Sequence, residues 1–281
     1  MIAGPAGAPG RSTVALNLAA AAAATGSRTL LIDADTIAPA LSTMLGVMTD
    51  DPGLAIASRA ALDATSDAVV LRSATIKLAD SSFIVTGTTG HRHPDVNRPL
   101  SIERIVTCAA SEFDHVLIDT SSWNAGDTDL GSPGQAAVLR TLLTLADSLV
   151  IVGAAEPLGV VRLMAVLASS QHEAPQAEHV VVFNRVRGSA LGGADSELAE
   201  LLAEHVTVPK TYALPDDRAA TDTAVLLGQP TVVVQPKSKF SAAFRPFADA
   251  VLAAHMPDPS RVGLRAARPS PSIRLGLRRA G

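Results

Sequence analysis

The chain has 281 residues, of which 47% are hydrophobic and 18% are charged, enough for one large α/β domain or two small ones. It contains no apolar run of the roughly 18 residues that a membrane span needs, and its start lacks the basic and apolar regions of a secretory signal. A single cysteine, Cys108, excludes an internal disulfide and a cysteine cluster for zinc. We therefore expect a soluble, cytoplasmic protein.

Charge is distributed unevenly along the chain. Residues 260–281 contain six arginines and no acid, so the rest of the chain carries −10, which is the total of −4 less the tail's +6. A basic terminal arm can hold an acidic protein near DNA or anionic lipid. The Pro and Ser content of this segment favours a solvated, disordered tail instead.

Short runs of Val, Ile and Leu alternate with longer Ala- and Leu-rich segments of helical spacing, which is typical of βαβ units. The predicted strands are 29–33, 82–86, 115–119, 148–153, 179–184, 210–213 and 231–234. The predicted helices are 12–25, 102–112, 134–146, 158–170, 195–205, 217–227 and 240–255. Several strands lack polar alternation, as expected for a parallel sheet covered on both faces. The pattern predicts a doubly wound, mostly parallel sheet flanked by helices.

No repeat or linker divides residues 1–256, which we assign to one domain, followed by the basic tail 257–281. Only residues 1–3 precede the first loop, and strands usually run about five residues. We expect that the natural chain extends upstream or that its start is assigned late.

A loop of small residues precedes the first predicted helix. Residues 4–13 read Gly-Pro-Ala-Gly-Ala-Pro-Gly-Arg-Ser-Thr. Backbone N–H groups free of large side chains, next to a helix N-terminus, form a positive concavity suited to phosphate. Against the pattern G-x-x-x-x-G-K-[ST], Gly10 and Ser12 match, whereas Pro5 replaces the first glycine and Arg11 the lysine. Ser12 lies where a hydroxyl can bind Mg²⁺.

Two apolar strands end in aspartate. Asp33 and Asp35 follow the strand at 29–33, and Asp119 ends the strand at 115–119. A single aspartate at a strand end is commonly a turn former. Because the carboxyl ends of parallel strands face the ligand crevice, two such strands after a phosphate loop predict a nucleotide–magnesium site.

These segments together resemble the deviant Walker A family of P-loop ATPases, which includes MinD, ParA and the pilus-assembly proteins CpaE and TadZ. The CpaE and TadZ members are the most similar in having an irregular loop. The resemblance runs from Met1 to about Ala254, nearly the whole chain except the tail. It implies a P-loop NTPase fold with ATP or ADP and Mg²⁺ as cofactors.

The resemblance also implies residue roles. The family loop K-G-G-x-G-K-[ST] falls on residues 6–12, the switch I motif D-x-D on 33–35, the Walker B strand on 116–119 and switch II on 120–134. Asp35 would orient the attacking water, and Arg11 would take the place of the catalytic lysine. The implied metal ligands are Ser12, Asp33 and Asp119. The implied nucleotide-binding residues are Gly7, Ala8, Pro9, Gly10, Arg11, Ser12, Thr13, Asn184, Arg185, Pro215 and Asp216, with Asn184 at the adenine edge.

Both lysines of the family loop are missing. Ala6 replaces the signature lysine that reaches a partner's phosphates, no nearby residue in the sequence replaces its charge, and Arg11 replaces the second lysine. Phosphoryl transfer depends chiefly on positioned positive charge, so we expect hydrolysis to be weak or lost while binding survives.

The resemblance implies a nucleotide-dependent spatial regulator of a pilus, a secretion apparatus, the septum or the chromosome. Such a protein would form a homodimer with nucleotide at the interface. It would bind a partner protein at the membrane or at the cell pole, and lie peripherally at the inner face of the membrane. Two alternatives stay open. One is a nucleotide-free pseudo-ATPase scaffold, and the other is a DNA-partitioning ATPase that uses the Arg-rich tail.

Other chemistry finds less support in the sequence. His91 and His93 are flanked by Gly90 and Pro94, which predicts a solvated loop instead of a metal site. No G-x-S-x-G elbow surrounds Ser121 and Ser122, so a hydrolase triad is disfavoured.

Overall fold

The computed structural model describes residues 1–63, 71–123, 133–187 and 210–253. Within them, eight strands form one sheet in the order β3-β4-β2-β5-β1-β6-β7-β8. The strands are β1 Ile2–Ala3, β2 Thr29–Ala34, β3 Thr75–Ala79, β4 Ser82–Val85, β5 His115–Thr120, β6 Ser148–Ala154, β7 Glu178–Val186 and β8 Lys210–Pro215. All neighbours pair in parallel except β3 and β4. The predicted doubly wound, mostly parallel sheet is confirmed.

The helices cover both faces of the sheet. They are α1 Arg11–Ala24, α2 Leu41–Met44, α3 Gly53–Leu62, α4 Pro99–Glu112, α5 Pro133–Leu145, α6 Pro157–Glu173, α7 Arg218–Leu226, α8 Thr231–Val234 and α9 Lys239–Ala253, with a 3₁₀ turn at Pro94–Asn97. One apolar core lies under α3, α4, α5 and α6, and includes Ile105 and Leu163. A second lies under α1 and α9, and includes Leu18 and Phe244. Burial on both faces explains why the strand sequences are continuously apolar.

Strand β1 is short but central. It pairs with β5 on one side and β6 on the other, through Ile2 with Asp119 and Val150. The chain therefore leaves the middle of the sheet at residue 4 and enters α1 at residue 11. In an open parallel sheet, the ends of such central strands form the ligand crevice.

The predicted strand at 231–234 is wrong, because Thr231–Val234 forms the one-turn helix α8. Three consecutive valines favour a strand by propensity. Tertiary contacts override that preference here, since the Val232 N–H donates to the Asn17 side-chain oxygen of α1 at 2.8 Å. The segment is thereby fixed on α1 between α7 and α9 instead of joining β8.

Strand β3 and helices α2 and α3 were not predicted from the sequence. The predicted helix at 195–205 and the basic tail at 257–281 lie outside the described residues, so contacts of the tail with DNA or membrane stay predictions. None of the helices in the described part of the chain combines the length and hydrophobicity that crossing a bilayer requires.

Candidate functional site

The loop between β1 and α1 is shaped by two glycines. Ala8 N–H donates to the Pro5 carbonyl at 3.1 Å, closing a tight turn with Gly7 at φ 76°. Gly10, at φ 98° and ψ 10°, is also left-handed and directly precedes the first helical residue, Arg11. Left-handed residues are costly for side chains other than glycine. The loop therefore turns into the N-terminus of α1 and is not extended, although it contains Pro5 and Pro9.

Arg11 packs its guanidinium against the loop. Its Nη1 donates to the carbonyl oxygens of Ala8 at 3.1 Å and Pro5 at 3.3 Å, while its Nε is buried without a partner among the described residues. The guanidinium of Arg11 therefore braces the loop, and its predicted role in catalysis and nucleotide binding stays a prediction.

Asp119 is the most unusual carboxylate in the described part of the chain. It is 1% exposed, and neither of its oxygens meets a partner at full hydrogen-bonding geometry within the described residues. The pKa of Asp119 is raised to about 8, chiefly by burial and next by the charge of Asp33, against the opposing effects of the Ser12 hydroxyl and Arg11. A buried carboxylate so poorly satisfied is costly unless a cation approaches it.

Asp33 and Asp35 are also buried, but backbone amides occupy them. Asp33 lies beside Asp119 in register and accepts from the N–H groups of Asp35 at 3.3 Å and Leu41 at 3.1 Å. One Asp35 oxygen accepts from the N–H groups of Ile37 and Ala38, both at 2.9 Å. The pKa of Asp33 is raised to about 6, chiefly by burial, even though its backbone hydrogen bonds act to lower it. Both aspartates therefore shape the loop that leads into α2.

The side chains that could bind a metal ion at the start of α1, those of Ser12, Asp33 and Asp119, all offer oxygen atoms. No three His, Cys, Asp or Glu side chains in the described ranges cluster as a metal site of their own. Mg²⁺, however, commonly takes one or two protein oxygens and completes its shell with phosphate and water. The Ser12 hydroxyl and the unsatisfied Asp119 carboxylate fit that requirement, whereas Asp33 already bonds two amides.

Asn184 connects the end of β7 to the loop. Its Nδ2 donates to the Pro9 carbonyl at 3.0 Å, and a side chain on Gly10 would collide with the same amide. This contact directs the amide of Asn184 to the loop between β1 and α1. Its role at an adenine edge stays a prediction. Gly10 is consequently fixed both by its backbone angle and by its neighbour.

The other residues predicted to contact the base lie at neighbouring strand ends. Arg185 is exposed and left-handed, with φ 58°. Pro215 ends β8, and Asp216 N–H donates to the Val186 carbonyl at 3.0 Å. Within the described residues, the hydrogen bonds that the structure gives for Asp216 join β8 to β7 and not to the loop. Thr13 lines a small cleft between α1 and α7, opposite Thr221.

Two loop contacts were missed in the sequence. Trp123 N–H, just after β5, donates to the Gly4 carbonyl at 2.9 Å. Arg162 of α6 donates from Nη1 to the Ala6 carbonyl at 3.3 Å. The sequence showed no cation near Ala6, whereas the structure places the guanidinium of Arg162 beside it. A signal was present, since Arg162 is the sole Arg or Lys in Pro157–Glu173 and β6 adjoins β1.

The model of one protein family matches most of the chain. Its description is the CobQ/CobB/MinD/ParA nucleotide binding domain, and it matches residues 1–223. No curated protein sequence matches the chain.

Solved structures that share the fold include a ParA family ATPase and two MinD proteins. A ParA family ATPase from Chlorobium tepidum is 21% identical, covers 88% of this chain and 96% of its own, and has a TM-score of 0.71. The septum site-determining protein MinD of Pyrococcus horikoshii, complexed with Mg-ADP, is 20% identical, with 95% and 97% covered and a TM-score of 0.69. The cell division ATPase MinD of Pyrococcus furiosus is 23% identical, with 89% and 96% covered and a TM-score of 0.68. The narrower likeness to CpaE and TadZ stays a prediction.

Proposed function

The chain belongs to the CobQ/CobB/MinD/ParA nucleotide-binding domain family, and we propose that it binds Mg-ATP and Mg-ADP at the loop formed by residues 4–13. The observation that carries the proposal is the unsatisfied, buried Asp119 beside Ser12, at the start of α1. A helix N-terminus that follows a left-handed glycine offers N–H groups to phosphate. The adjacent Asp119 carboxylate would then bind the Mg²⁺ of the nucleotide, a role that it would not have beside a purely structural loop.

Each part of the loop has a distinct task in this proposal. The amides of residues 10–13 bind phosphate oxygens, while Ser12 and Asp119 hold Mg²⁺. When bound, Mg²⁺ neutralises phosphate charge and orients the phosphate chain. Asp33, which bonds the amides of Asp35 and Leu41, acts by holding the loop before α2. The Mg-ADP bound to the Pyrococcus horikoshii MinD supports the same ligand here.

We propose that hydrolysis is weak or lost. Ala6 carries no charge that could reach a partner subunit's phosphates. Arg11 already bonds two loop carbonyls, so its planar guanidinium is less free than a lysine ammonium to follow the transferring phosphate. One oxygen of Asp35, the residue proposed to orient water, is held by two amides. Removing positioned charge costs phosphoryl transfer more than it costs binding.

Nucleotide-dependent spatial regulation is the proposed biological role, with a homodimer holding nucleotide between its subunits. A pilus, secretion or septum apparatus at the inner face of the membrane would be the partner. Support from the chain itself is the exposure of Leu158 and Val161 on α6, at 57% and 65%, next to the phosphate loop. Exposed aliphatic side chains close to a ligand site are suited to a contact that depends on the ligand.

Calorimetry and thermal unfolding of the full chain with Mg-ATP test nucleotide binding. We expect saturable binding with a Kd between about 1 μM and 1 mM, and stabilisation of about 2.7 kcal/mol at a hundredfold excess over Kd. Ser12→Ala should weaken the magnesium-dependent part of the affinity. Ser81→Ala should not, because Ser81 lies just before β4, at the opposite ends of the parallel strands. Absence of both heat and thermal shift at millimolar Mg-ATP would contradict the proposal.

A nucleotide-free scaffold is the second candidate, and the contacts of Arg11 favour it. A guanidinium that bonds the carbonyls of Pro5 and Ala8 can stabilise the loop without any ligand. This candidate predicts no nucleotide binding and an Arg11→Ala variant of lower stability. Saturable Mg-ATP binding would exclude it.

A further inference from the structure

The guanidinium of Arg162 lies directly on the turn at Ala6 and Gly7. Its Nη1 donates to the Ala6 carbonyl at 3.3 Å, and a Cβ on Gly7 would lie 2.9 Å from the same nitrogen. The contact uses one donor of a group that carries several. The ion pairs of the described residues lie elsewhere, so no carboxylate there neutralises this charge.

The fold holds Arg162 in this place. Strand β6 pairs with β1 through Val150 and Ile151, and α6 begins three residues after β6 ends. Gly159, in the first turn of α6, lies so close to the Ala154 carbonyl that a side chain would collide with it. The backbone below Arg162 is therefore fixed, while its exposed side chain can move over the loop.

We propose that Arg162 is a phosphate-binding residue that supplies, from the same subunit, the positive charge that position 6 lacks. The inference rests on the proposed nucleotide binding and deepens it. Arg11 lies on the carbonyls of Pro5 and Ala8, and Arg162 lies on the carbonyl of Ala6, so two guanidinium groups reach one short loop. A planar guanidinium is well suited to two oxygens of one phosphate.

Mg-ATP and magnesium tripolyphosphate binding of the full chain test this role. Arg162→Ala should weaken both by about tenfold or more, because a charge-assisted contact to phosphate is lost. Arg162→Lys should retain part of the affinity, and Ala6→Lys in the Arg162→Ala background should restore part of it. Arg140→Ala is the matched control, since Arg140 is an exposed arginine of α5 and its loss changes the net charge equally.

The two proposals fail in different ways. If the native chain binds neither ligand, nucleotide binding itself is wrong. If the native chain binds both ligands and the affinities of Arg162→Ala equal those of Arg140→Ala, nucleotide binding stands and the role of Arg162 is overturned. Adenosine separates phosphate contact from loop support, because a variant that only disturbs the loop weakens adenosine and tripolyphosphate alike. That parallel loss would also overturn the proposal, as would equal losses in Arg162→Lys and Arg162→Ala.

Discussion

Replacing Asp119 by asparagine should make the ligand-free protein more stable and abolish its magnesium-dependent nucleotide binding. Folding takes this carboxyl from its ordinary pKa of 3.8 to about 8. A group whose pKa is raised on folding stabilises the protein only at low pH, and the stabilisation is lost as pH rises from about 4 to about 8. At about 1.4 kcal/mol for each unit, the penalty at pH 7 reaches about 4 kcal/mol as an upper value.

The asparagine side chain that replaces Asp119 would itself bury a polar amide, at a cost of about 1–3 kcal/mol. The net gain of Asp119→Asn is then about 2 kcal/mol, or about 4–8 °C in Tm for a chain of this size. The gain should shrink as pH falls from about 8 to about 5, since the native carboxyl is then protonated in the folded state. Metal binding is lost because an amide does not replace an anionic ligand.

Thermal and urea unfolding of both proteins across this pH range, without and with Mg-ADP, measure these effects. Asp80→Asn is the matched control, because Asp80 is fully exposed and pairs with the exposed Lys77 at 3.1 Å, so the substitution should change stability little at any pH. The reasoning is refuted if Asp119→Asn lowers the free energy of unfolding at pH 8 without ligand. It is also refuted if the difference between native and variant protein is the same at both ends of the pH range.

Gly10→Ala should lower the free energy of unfolding by more than about 2 kcal/mol, because φ is 98° and the new methyl group meets Asn184. Gly46 has φ 63° and open space around it, so Gly46→Ala should lower the free energy of unfolding by about 1 kcal/mol. Equal urea midpoints for the two variants would disprove the steric argument. Arg11→Ala should lower the free energy of unfolding by about 1–3 kcal/mol, because its loop contacts are lost, and should weaken Mg-ATP binding. Arg11→Lys should retain most of the affinity. An unchanged urea midpoint in the alanine variant would show that Arg11 does not stabilise the loop. Calorimetry should show Mg-ADP affinity rising between about pH 6 and 8.5 with proton release, since Asp119 must lose a proton to bind metal, and a flat profile would argue against Asp119 as the ligand.

The sheet could be predicted because both of its faces are covered. Strands buried on both sides are continuously apolar, and residues 29–33 and 115–119 show this directly. The edge strand β3, Thr75–Ala79, is only partly buried and its sequence carries a lysine, so hydrophobicity gave it no signal. The strand predicted at 231–234 was wrong for the opposite reason. Its valines favour a strand, but the contact with Asn17 imposes a helical turn.

The relative positions of the candidate site residues could be predicted where the order of the strands determines them, and not where they depend on individual side-chain contacts. Parallel strands bring their carboxyl ends together, so Asp33 and Asp119 could be placed side by side. Their different environments could not be predicted, because they depend on which backbone amides turn inward, as at Leu41. Arg162 could be singled out as the sole Arg or Lys of α6, but its nearness to Ala6 depends on how α6 packs on the sheet, which the sequence does not give.

The most direct test of the central claim is a crystal structure of the full chain grown with Mg-ADP. We predict phosphate oxygens within about 2.7–3.2 Å of the backbone nitrogens of residues 10–12. We predict Mg²⁺ at about 2.0–2.1 Å from the Ser12 hydroxyl oxygen, with Asp119 bound to it directly or through one water. Nucleotide bound elsewhere on the protein, with Asp119 still lacking a cation, would contradict the account.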